Sequence, residues 1–356
     1  MYRRSAETRT CDRHRLNQQE SPPVSGSFSH GPPFGALGWR GLRNVTGVST
    51  TDRKLYQNVH SILNINMGGR GDELLAKAEK KASSSTGWFS SSSSKWEDAA
   101  DLFQQHQAAN AYKIESRWTD SGKAFEREAA CRIKADEKND AMNAYHNAGK
   151  SYKKSDPQAA INALHQCIKL ITESGNFRQA ADREKEIAQI YAQDGLDIQQ
   201  ARDSYQRAGD WYKQEDANAT ANQCYQQAAE LSAELGDYRR AIDNYVTVAD
   251  WSLTSPLTKY SVKDYFLRAV MCAIATGDLV TARKLLDSFD QKDVTFPSTR
   301  EAKFARALVD ACEEGDVERY TSAVFNYDQI SKLDNWKTNI LLKVKRALEE
   351  EESSLL

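Results

Sequence analysis

The residue types that carry out most enzyme chemistry are present in this chain, but their spacing does not assemble an active site. The six cysteines, at positions 11, 131, 167, 224, 272 and 312, form no CxxC pair, and the six histidines include no HExxH motif. The GxxxxGK[ST] and GxGxxG patterns that cradle phosphates are missing, as is the GxSxG turn that presents a nucleophilic serine. The sequence therefore predicts a protein that is not an enzyme and that needs no metal ion or cofactor.

Charged side chains are the remaining candidates for a function. One set of cations recurs near the ends of predicted helices. Its members are Lys150, Lys153, Lys154, Lys259, Lys263 and Arg268. Dispersed cations on helices usually do no more than keep a protein soluble. If they lie on one face of the fold, however, they form a stripe that suits an elongated acidic partner.

Two neighbouring rings, Trp88 and Phe89, lie in a segment rich in glycine and serine between residues 82 and 95. Neither ring has an apolar neighbour at helical spacing, so two interpretations stay open. The rings can pack beneath the adjacent helices, or they can form an exposed apolar finger. Burying both rings in a membrane interface is worth about 3–6 kcal/mol, which is enough for weak and reversible anchoring.

Acidic residues are concentrated near the C-terminus. Glu313 and Glu314 are adjacent, so on a helix their side chains point about 100° apart and do not converge on one substrate. The chain ends in four glutamates, Glu349 to Glu352, followed by two serines and the pair Leu355 and Leu356. Frayed acidic ends are mostly inert, but exposed terminal leucines gain nothing unless another protein receives them.

Helices must position these residues, because one helical pattern recurs along the middle of the chain. A small residue is followed four positions later by a large one, and three positions after that by another small one. Such positions share one face of an α-helix, where alternating sizes let neighbouring helices interlock. The pattern occurs at Ala141/Tyr145/Ala148, Ala160/Leu164/Cys167, Ala201/Tyr205/Ala208, Ala221/Tyr225/Ala228 and Ala241/Tyr245/Val248. The last three starts are twenty residues apart, which predicts an all-α, TPR-like solenoid of antiparallel helical hairpins.

The chain divides into four predicted segments. Residues 1–66 have two Pro-Pro pairs, no sustained periodicity and a net charge of +5, from nine Arg or Lys and four Asp or Glu. They predict a disordered segment or an error in the gene model, with Met67 as the initiator; an arginine-bearing transit peptide fits less well, because the segment is acidic in places. Residues 67–253 predict the solenoid with a loop at 82–95, residues 254–348 a helical bundle that caps it, and residues 349–356 an acidic Leu-Leu tail.

The cellular compartment is predicted from the absence of membrane-spanning and secretory segments in the sequence. No run approaches the eighteen apolar residues that cross a bilayer, and no signal-peptide core is present. The scattered cysteines occupy apolar helix positions, as expected for small core residues in a reducing compartment. The sequence therefore predicts a cytoplasmic protein.

Three segments contain long, collinear motifs. Residues 148–161 read AGKSYKKSDPQAAI, similar to the pattern AGxxxKKxDPQEAI. Residues 255–266 read SPLTKYSVKDYF, similar to SPLxKYSxKDYF, and residues 327–334 read YDQISKLD, similar to YDxISxLD. These motifs resemble those of the soluble NSF attachment protein family, and the resemblance covers about residues 72–356 and none of the first 66. It implies an adaptor, peripheral on endomembranes, that lines the four-helix SNARE bundle after fusion and recruits the AAA ATPase NSF to unwind it.

The same resemblance implies roles for individual residues. Trp88 and Phe89 occupy the membrane-touching loop, where the family usually carries two phenylalanines. The SNARE-facing positions are Lys153, Lys154, Leu257, Lys263 and Arg300. The positions that meet the ATPase are Asp278, Asp310, Glu313 and Glu314, and Leu355 and Leu356 correspond to terminal leucines that stimulate it.

The middle of the array departs from the family. Asp182, Gln223 and Gln227 stand where the family usually carries SNARE-facing lysines, and Arg183 and Lys185 compensate only in part. A register slip of two residues around 104–107 is a further departure. A thinner positive stripe is expected, with a SNARE affinity that is lower or more dependent on the membrane. The alternative function is a general TPR-like scaffold for another helical or peptide ligand; an enzyme is a distant third, and nucleic acid is not an expected partner.

Overall fold

The structure is a computed structural model that describes residues 71–81, 83, 94, 96, 108–193 and 197–355. All of them belong to one structural unit, Val59–Leu356. The predictions for residues 1–66, for Trp88 and Phe89, for residues 104–107 and for Leu356 lie outside the described residues. In the predicted loop at 82–95, the two described residues, Ser83 and Ser94, are helical, so helix extends into both ends of that segment.

The described part of the chain is helical and contains no strand. Its first half consists of α1 (71–81), α2 (Ala108–Ile114), α3 (Trp118–Lys134), α4 (Lys138–Tyr152), α5 (Pro157–Glu173), α6 (Phe177–Gln193), α7 (Ile198–Gln214), α8 (Asn218–Glu234) and α9 (Tyr238–Ser252). After a 3-10 turn at Lys259–Ser261 come α10 (Val262–Ala275), α11 (Leu279–Lys292), a second 3-10 turn at Phe296–Ser298, α12 (Arg300–Glu314), α13 (Val317–Ile330) and α14 (Asn335–Leu355).

The hairpins close through a recurring turn. A residue with left-handed backbone lies two positions before the next helix; these residues are Ser116, Asp136, Gly175, Asp216 and Gly236, with φ of 60°, 64°, 76°, 55° and 81°. The last two are twenty residues apart, in agreement with the predicted period. Among all the described helices, several begin with an aspartate N-cap. Asp156, for example, accepts from the backbone N–H of Ala159 at 3.0 Å, with Pro157 in the first turn.

The small residues of the repeat let large ones approach closely. Ala201, Ala208 and Ala221 are at most 1% exposed, as the pattern predicts. Tyr225 packs onto Gly209, where a Cβ atom would lie 2.7 Å from the ring carbon Cε1, so only glycine accommodates this contact. The predicted all-α, TPR-like solenoid of helical hairpins is therefore confirmed.

The helices alternate between two layers. One layer, which we call the first layer, contains α2, α4, α6, α8 and α10; the other contains α3, α5, α7 and α9. Side chains connect alternate helices within a layer. In the first layer, His146 Nε2 lies 3.2 Å from Glu186 Oε2, and the Tyr265 hydroxyl donates to Gln226 Oε1 at 3.3 Å. In the other layer, Asn244 donates to Gln206 at 2.9 Å.

The apolar core falls into three clusters that follow one another along the chain. They run from Ala109 to Ile190, from Ala181 to Val248 and from Ala229 to Leu348. The third cluster joins α8 and α9 to the C-terminal helices, where the rings of Phe266 and Phe289 stack at 3.9 Å. It covers the apolar face of the last repeat. Because this core crosses residue 253, the division of the chain at 253/254 stays a prediction.

The cysteines that the structure describes are unpaired, and all but Cys312 are buried. Burial raises the pKa of the Cys167 and Cys224 thiols to about 11, so both behave as small core residues. No group of three or more potential metal ligands occurs among the described residues. Within the same residues, no helix has the length and apolar character needed to cross a membrane.

Candidate partner-binding surfaces

Four lysines at the ends of two first-layer helices form the basic cluster. Lys113 lies in the last turn of α2, Lys150 lies in the last turn of α4, Lys153 is its C-cap residue, and Lys154 follows. Cations at these positions interact favourably with the carbonyl ends of the helices. Two of the ammonium groups also lie over rings: Lys154 Nζ is 4.0 Å from the centre of Trp118, and Lys113 Nζ is 4.5 Å from the centre of Phe125.

The basic cluster carries positive charge that its own chain does not neutralise. None of its four ammonium groups has a carboxylate oxygen within 4.0 Å among the residues that the structure describes. Burial, together with the charges of Lys150 and Lys154, lowers the pKa of Lys113. Sequence reasoning missed Lys113, although its place at the C-terminal end of a first-layer helix is the one that Lys150 occupies. An acidic ligand would relieve this repulsion.

The other predicted SNARE-facing residues, Leu257, Lys263 and Arg300, lie around the start of α10 and α12, and their surface is apolar as much as basic. Leu257 is 93% exposed, beside Tyr260, which is 79% exposed. Lys263 Nζ lies 3.1 Å from Glu301 Oε1, and Arg300 donates to the Ser331 hydroxyl at 3.3 Å. Tyr260 was missed by sequence reasoning, which had no means to foretell its exposure.

Arg268 does not belong to the predicted basic stripe, because it is 8% exposed. Its guanidinium donates to Asp264 at 2.8 Å and to Asp334 at 2.6 Å, and it lies 4.8 Å from the centre of the Trp336 ring. The prediction that Arg268 is part of the surface is therefore wrong. The carboxylates permit its burial, since they neutralise the charge that burial would otherwise penalise.

In the middle of the array, the residues expected to compensate for lost lysines behave differently from one another. Arg183 contacts His146 and lies 3.1 Å from Glu186, so its charge is used within the chain. Asp182 accepts a hydrogen bond from the Tyr212 hydroxyl. Lys185 has no carboxylate partner among the described residues and lines a groove with Gln223 and Gln227. The groove has the following lining: Lys185, Gln189, Tyr205, Gln223, Gln226 and Gln227.

Of the residues predicted to meet an ATPase, Asp278 has a structural role that the sequence analysis did not assign. It is the N-cap of α11, and its carboxylate accepts from the Thr281 backbone N–H at 2.8 Å and hydroxyl at 2.6 Å. These bonds lower the pKa of Asp278. The carboxylate is therefore committed in part to holding the first turn of α11.

The other three carboxylates, Asp310, Glu313 and Glu314, form the acidic set on α12, and arginines of the same chain contact all three. Arg283 on α11 contacts Asp310 and binds Glu313 through two nitrogens, at 2.9 and 2.6 Å. Arg319 on α13 contacts Glu314. Arg283 lowers the pKa of Glu313. The acidic set therefore carries three negative charges and two arginine partners, which leaves little net charge.

The last helix extends into the segment predicted to be a tail. The sequence predicts an acidic Leu-Leu tail over residues 349–356, whereas α14 continues to Leu355. The four glutamates permit this, because glutamate favours helices and no Gly or Pro interrupts the run. The backbone of Leu355 is helical; Leu356, like Trp88 and Phe89, lies outside the described residues.

Comparison with known proteins places these surfaces in context. Residues 69–349 match the family model described as soluble NSF attachment protein. Among relatives, a protein named vesicular-fusion protein SEC17 from Coprinopsis cinerea is 57% identical over 278 residues, covering 78% of this chain and 96% of the relative. The human alpha-soluble NSF attachment protein is 38% identical over 285 residues, covering 79% and 96%.

Similarity extends to another fungus and to a solved structure. A probable vesicular-fusion protein sec17 homolog from Schizosaccharomyces pombe is 40% identical over 286 residues, covering 80% of this chain and 98% of the relative. A signal-transduction ATPase with a tetratricopeptide repeat sensor from Pyrococcus horikoshii aligns with a TM-score of 0.41 at 14% identity, covering 83% of this chain and 46% of that one. The family model and these relatives cover most of the chain, and the chain belongs to the soluble NSF attachment protein family.

Proposed function

We propose that this chain is a non-enzymatic adaptor that binds assembled four-helix SNARE bundles at membranes and recruits and stimulates an NSF-type AAA ATPase, so that the bundle is disassembled. Family membership supports the adaptor role, and the matched relatives are named as vesicular-fusion and NSF attachment proteins. The observation that carries the proposal is the basic cluster, whose cations have no carboxylate partner among the described residues. An acidic helical bundle would supply the missing negative charge.

The SNARE-facing residues share the first layer or border it. Lys153 and Lys154 follow α4, and Lys263 lies in the first turn of α10, at the other end of the same layer. A rod-shaped partner lying across this layer would contact cations at both ends. Leu257 and Tyr260 would add apolar contact at the second end, since both are exposed.

The remaining contacts of the adaptor concern the membrane and the ATPase. Trp88 and Phe89 would anchor the chain by entering the lipid interface. The acidic set on α12 and the residue Asp278 would meet basic surface of the ATPase, and Leu355 with Leu356 would stimulate it. Because Arg283 and Arg319 already contact the acidic set, we expect recruitment to be weaker than three free carboxylates would give.

The proposal is tested by reversing charge at both ends of the first layer. Lys153→Glu combined with Lys263→Glu should weaken co-sedimentation with preassembled SNARE complex about tenfold or more at low salt, because each reversal replaces attraction by repulsion. The matched control is Lys169→Glu with Lys213→Glu, which makes the same charge change at two exposed positions of α5 and α7 in the other layer.

Two results would count against the proposal. If both double variants lose the same affinity, only net charge matters and the first layer is not the binding surface. If wild-type chain binds SNARE complex neither alone nor with the ATPase present, the chain serves another ligand, as a general TPR-like scaffold would.

A further inference from the structure

A groove of about 290 Å³ lies in the first layer, between α6 and α8. Lys185 and Gln189, one turn apart on α6, form one wall. Gln223 and Gln227, one turn apart on α8, form the other. Tyr205 comes from α7, the helix that connects the two in sequence and packs against both. We call it the glutamine groove.

A tyrosine hydroxyl with unused bonding capacity lies at the glutamine groove. Tyr205 is 6% exposed, yet its hydroxyl has no hydrogen-bond partner among the residues that the structure describes. Tyr212 and Tyr225 donate to Asp182 and Asp210, the latter at 2.9 Å, whereas the hydroxyl of Tyr245, at the same repeat position as Tyr205, is fully enclosed without a partner among the described residues. The Tyr205 oxygen is not one of the fully enclosed atoms, so it reaches the groove and can bond a ligand there.

Amide groups around that hydroxyl also have bonding capacity to spare. In the described part of the chain, the side chains of Gln189 and Gln223 make no hydrogen bond. Gln227 donates through Nε2 to Glu230 at 3.2 Å, which leaves its oxygen available. Gln226 already uses both ends of its amide within the chain, since it donates to Glu230 at 3.1 Å and accepts from Tyr265. The groove therefore presents several donors and several acceptors, held on three packed helices.

The glutamine groove is less charged than the basic cluster. Among the described residues that line it, Lys185 is the one cation and no carboxylate is present. Glu230 borders the groove, because it accepts from both Gln226 and Gln227, and Arg268 lies 3.7 Å from it. An acidic ligand would meet Glu230, and a basic ligand would meet Lys185. A carboxamide avoids both penalties and uses donors and acceptors together.

We propose that the glutamine groove receives an uncharged carboxamide side chain, Gln or Asn, from the helical bundle that the basic cluster binds. The inference rests on the proposed function and adds to it a specificity determinant. Contacts between charged groups would then hold the partner at both ends of the first layer, and hydrogen bonds between neutral groups would hold it in the middle. Gln223 and Gln227 would recognise the partner by these hydrogen bonds, in place of the positive charge that lysines would supply there.

The experiment removes one oxygen atom. Tyr205→Phe should weaken binding of preassembled four-helix SNARE complex about threefold to tenfold, the range of one to two neutral hydrogen bonds. The factor should be the same at low and high salt, because hydrogen bonds between neutral groups are not screened. The melting temperature should stay within a degree or so of wild type, since the hydroxyl has no protein partner to lose.

Tyr225→Phe is the matched control, because it also removes one tyrosine hydroxyl from a buried ring of the array. That hydroxyl bonds Asp210 and lies outside the groove, so this variant should lower the melting temperature and leave SNARE binding unchanged. Equal binding by Tyr205→Phe and wild type would overturn the inference.

A second variant distinguishes a neutral groove from a position that merely lacks a cation. Gln223→Lys should weaken binding, because it adds positive charge beside Lys185 and removes an amide. Stronger binding with a steeper salt dependence would overturn the inference in favour of a simple electrostatic stripe. If the Lys153→Glu, Lys263→Glu variant loses affinity while Tyr205→Phe does not, the groove proposal fails alone. If wild-type chain does not bind SNARE complex, both proposals fail.

Discussion

The basic cluster and the acidic set are both dense in charge along the sequence, yet the fold treats them in opposite ways. The cations of the basic cluster lie near one another without a carboxylate partner among the described residues, and their repulsion contributes to a lowered pKa at Lys113. The carboxylates of the acidic set are contacted by Arg283 and Arg319. The basic cluster can therefore bind an acidic partner directly. A basic partner of the acidic set must instead compete with Arg283 and Arg319.

The difference shows that pairing across helices, and not the number of charges, decides what a surface offers. An exposed ion pair is worth little to stability, about 0–1 kcal/mol, but it cancels most of the field that a partner would sense. The side chains in these arginine contacts are between about one third and just over one half exposed, so the contacts remain exchangeable. Within the described part of the chain, no carboxylate competes for the basic cluster in this way.

The largest effect on SNARE binding is expected from placing a carboxylate within the basic cluster, so that its cations are paired as the carboxylates of the acidic set are. Lys150→Glu places a carboxylate near Lys113 and Lys154, and it should weaken SNARE binding about fivefold to thirtyfold at low salt, from two rim contacts of about 0.5–1 kcal/mol each. Stability should change little, because the attraction to Lys113 and Lys154 offsets the lost interaction of Lys150 with the carbonyl end of α4. Lys150→Gln, which only removes a charge, should show about half the binding loss. Unchanged binding in a co-sedimentation assay would show that charge pairing in this cluster is irrelevant to the partner.

The sequence predicted what depends on neighbours along the chain, and it missed what depends on neighbours across helices. The hairpin period and the packing of small against large residues are local patterns, and the structure has them. Arg283 and Glu313, by contrast, are separated by 30 residues. Arg268 carried the same local signal as the surface lysines, and it is buried because Asp264 of its own helix and Asp334 and Trp336 at the start of α14 surround it.

A smaller effect of opposite sign is expected from unpairing the acidic set. Arg283→Gln releases Asp310 and Glu313, so it should strengthen recruitment of the ATPase to SNARE-bound chain about twofold to fivefold at low salt. The pKa of Glu313 should rise towards its ordinary value, because Arg283 is the main cause of its depression. The cost in folding free energy should be below about 1 kcal/mol, since the pairs are partly exposed.

The control for this variant is Lys284→Gln, which removes one cation from the neighbouring, exposed position of α11. If both variants strengthen recruitment equally, the total charge of this end of the molecule is responsible and the pairing by Arg283 is not. Weaker recruitment by Arg283→Gln would mean that the arginine itself contacts the ATPase, and the acidic set would no longer be the docking surface.

The smallest effect concerns the crowding within the basic cluster itself. Burial first, and then Lys150 and Lys154, lowers the pKa of Lys113 below its ordinary 10.5, so the unfolded chain holds this proton more tightly than the folded one. The folding stability of wild type should therefore rise as the pH increases through the interval below 10.5. The reference is the Lys113→Met variant, because its tyrosines ionise in the same way and the difference between the two proteins isolates Lys113. Interactions between partly exposed charges limit the gain to about 0.2–0.5 kcal/mol in urea titrations. Lys150→Gln should bring the pKa of Lys113 part of the way back, measured by NMR of the lysine side chain. An ordinary pKa in wild type would show that these cations do not crowd one another, and the contrast with the acidic set would then lie only in the missing carboxylates.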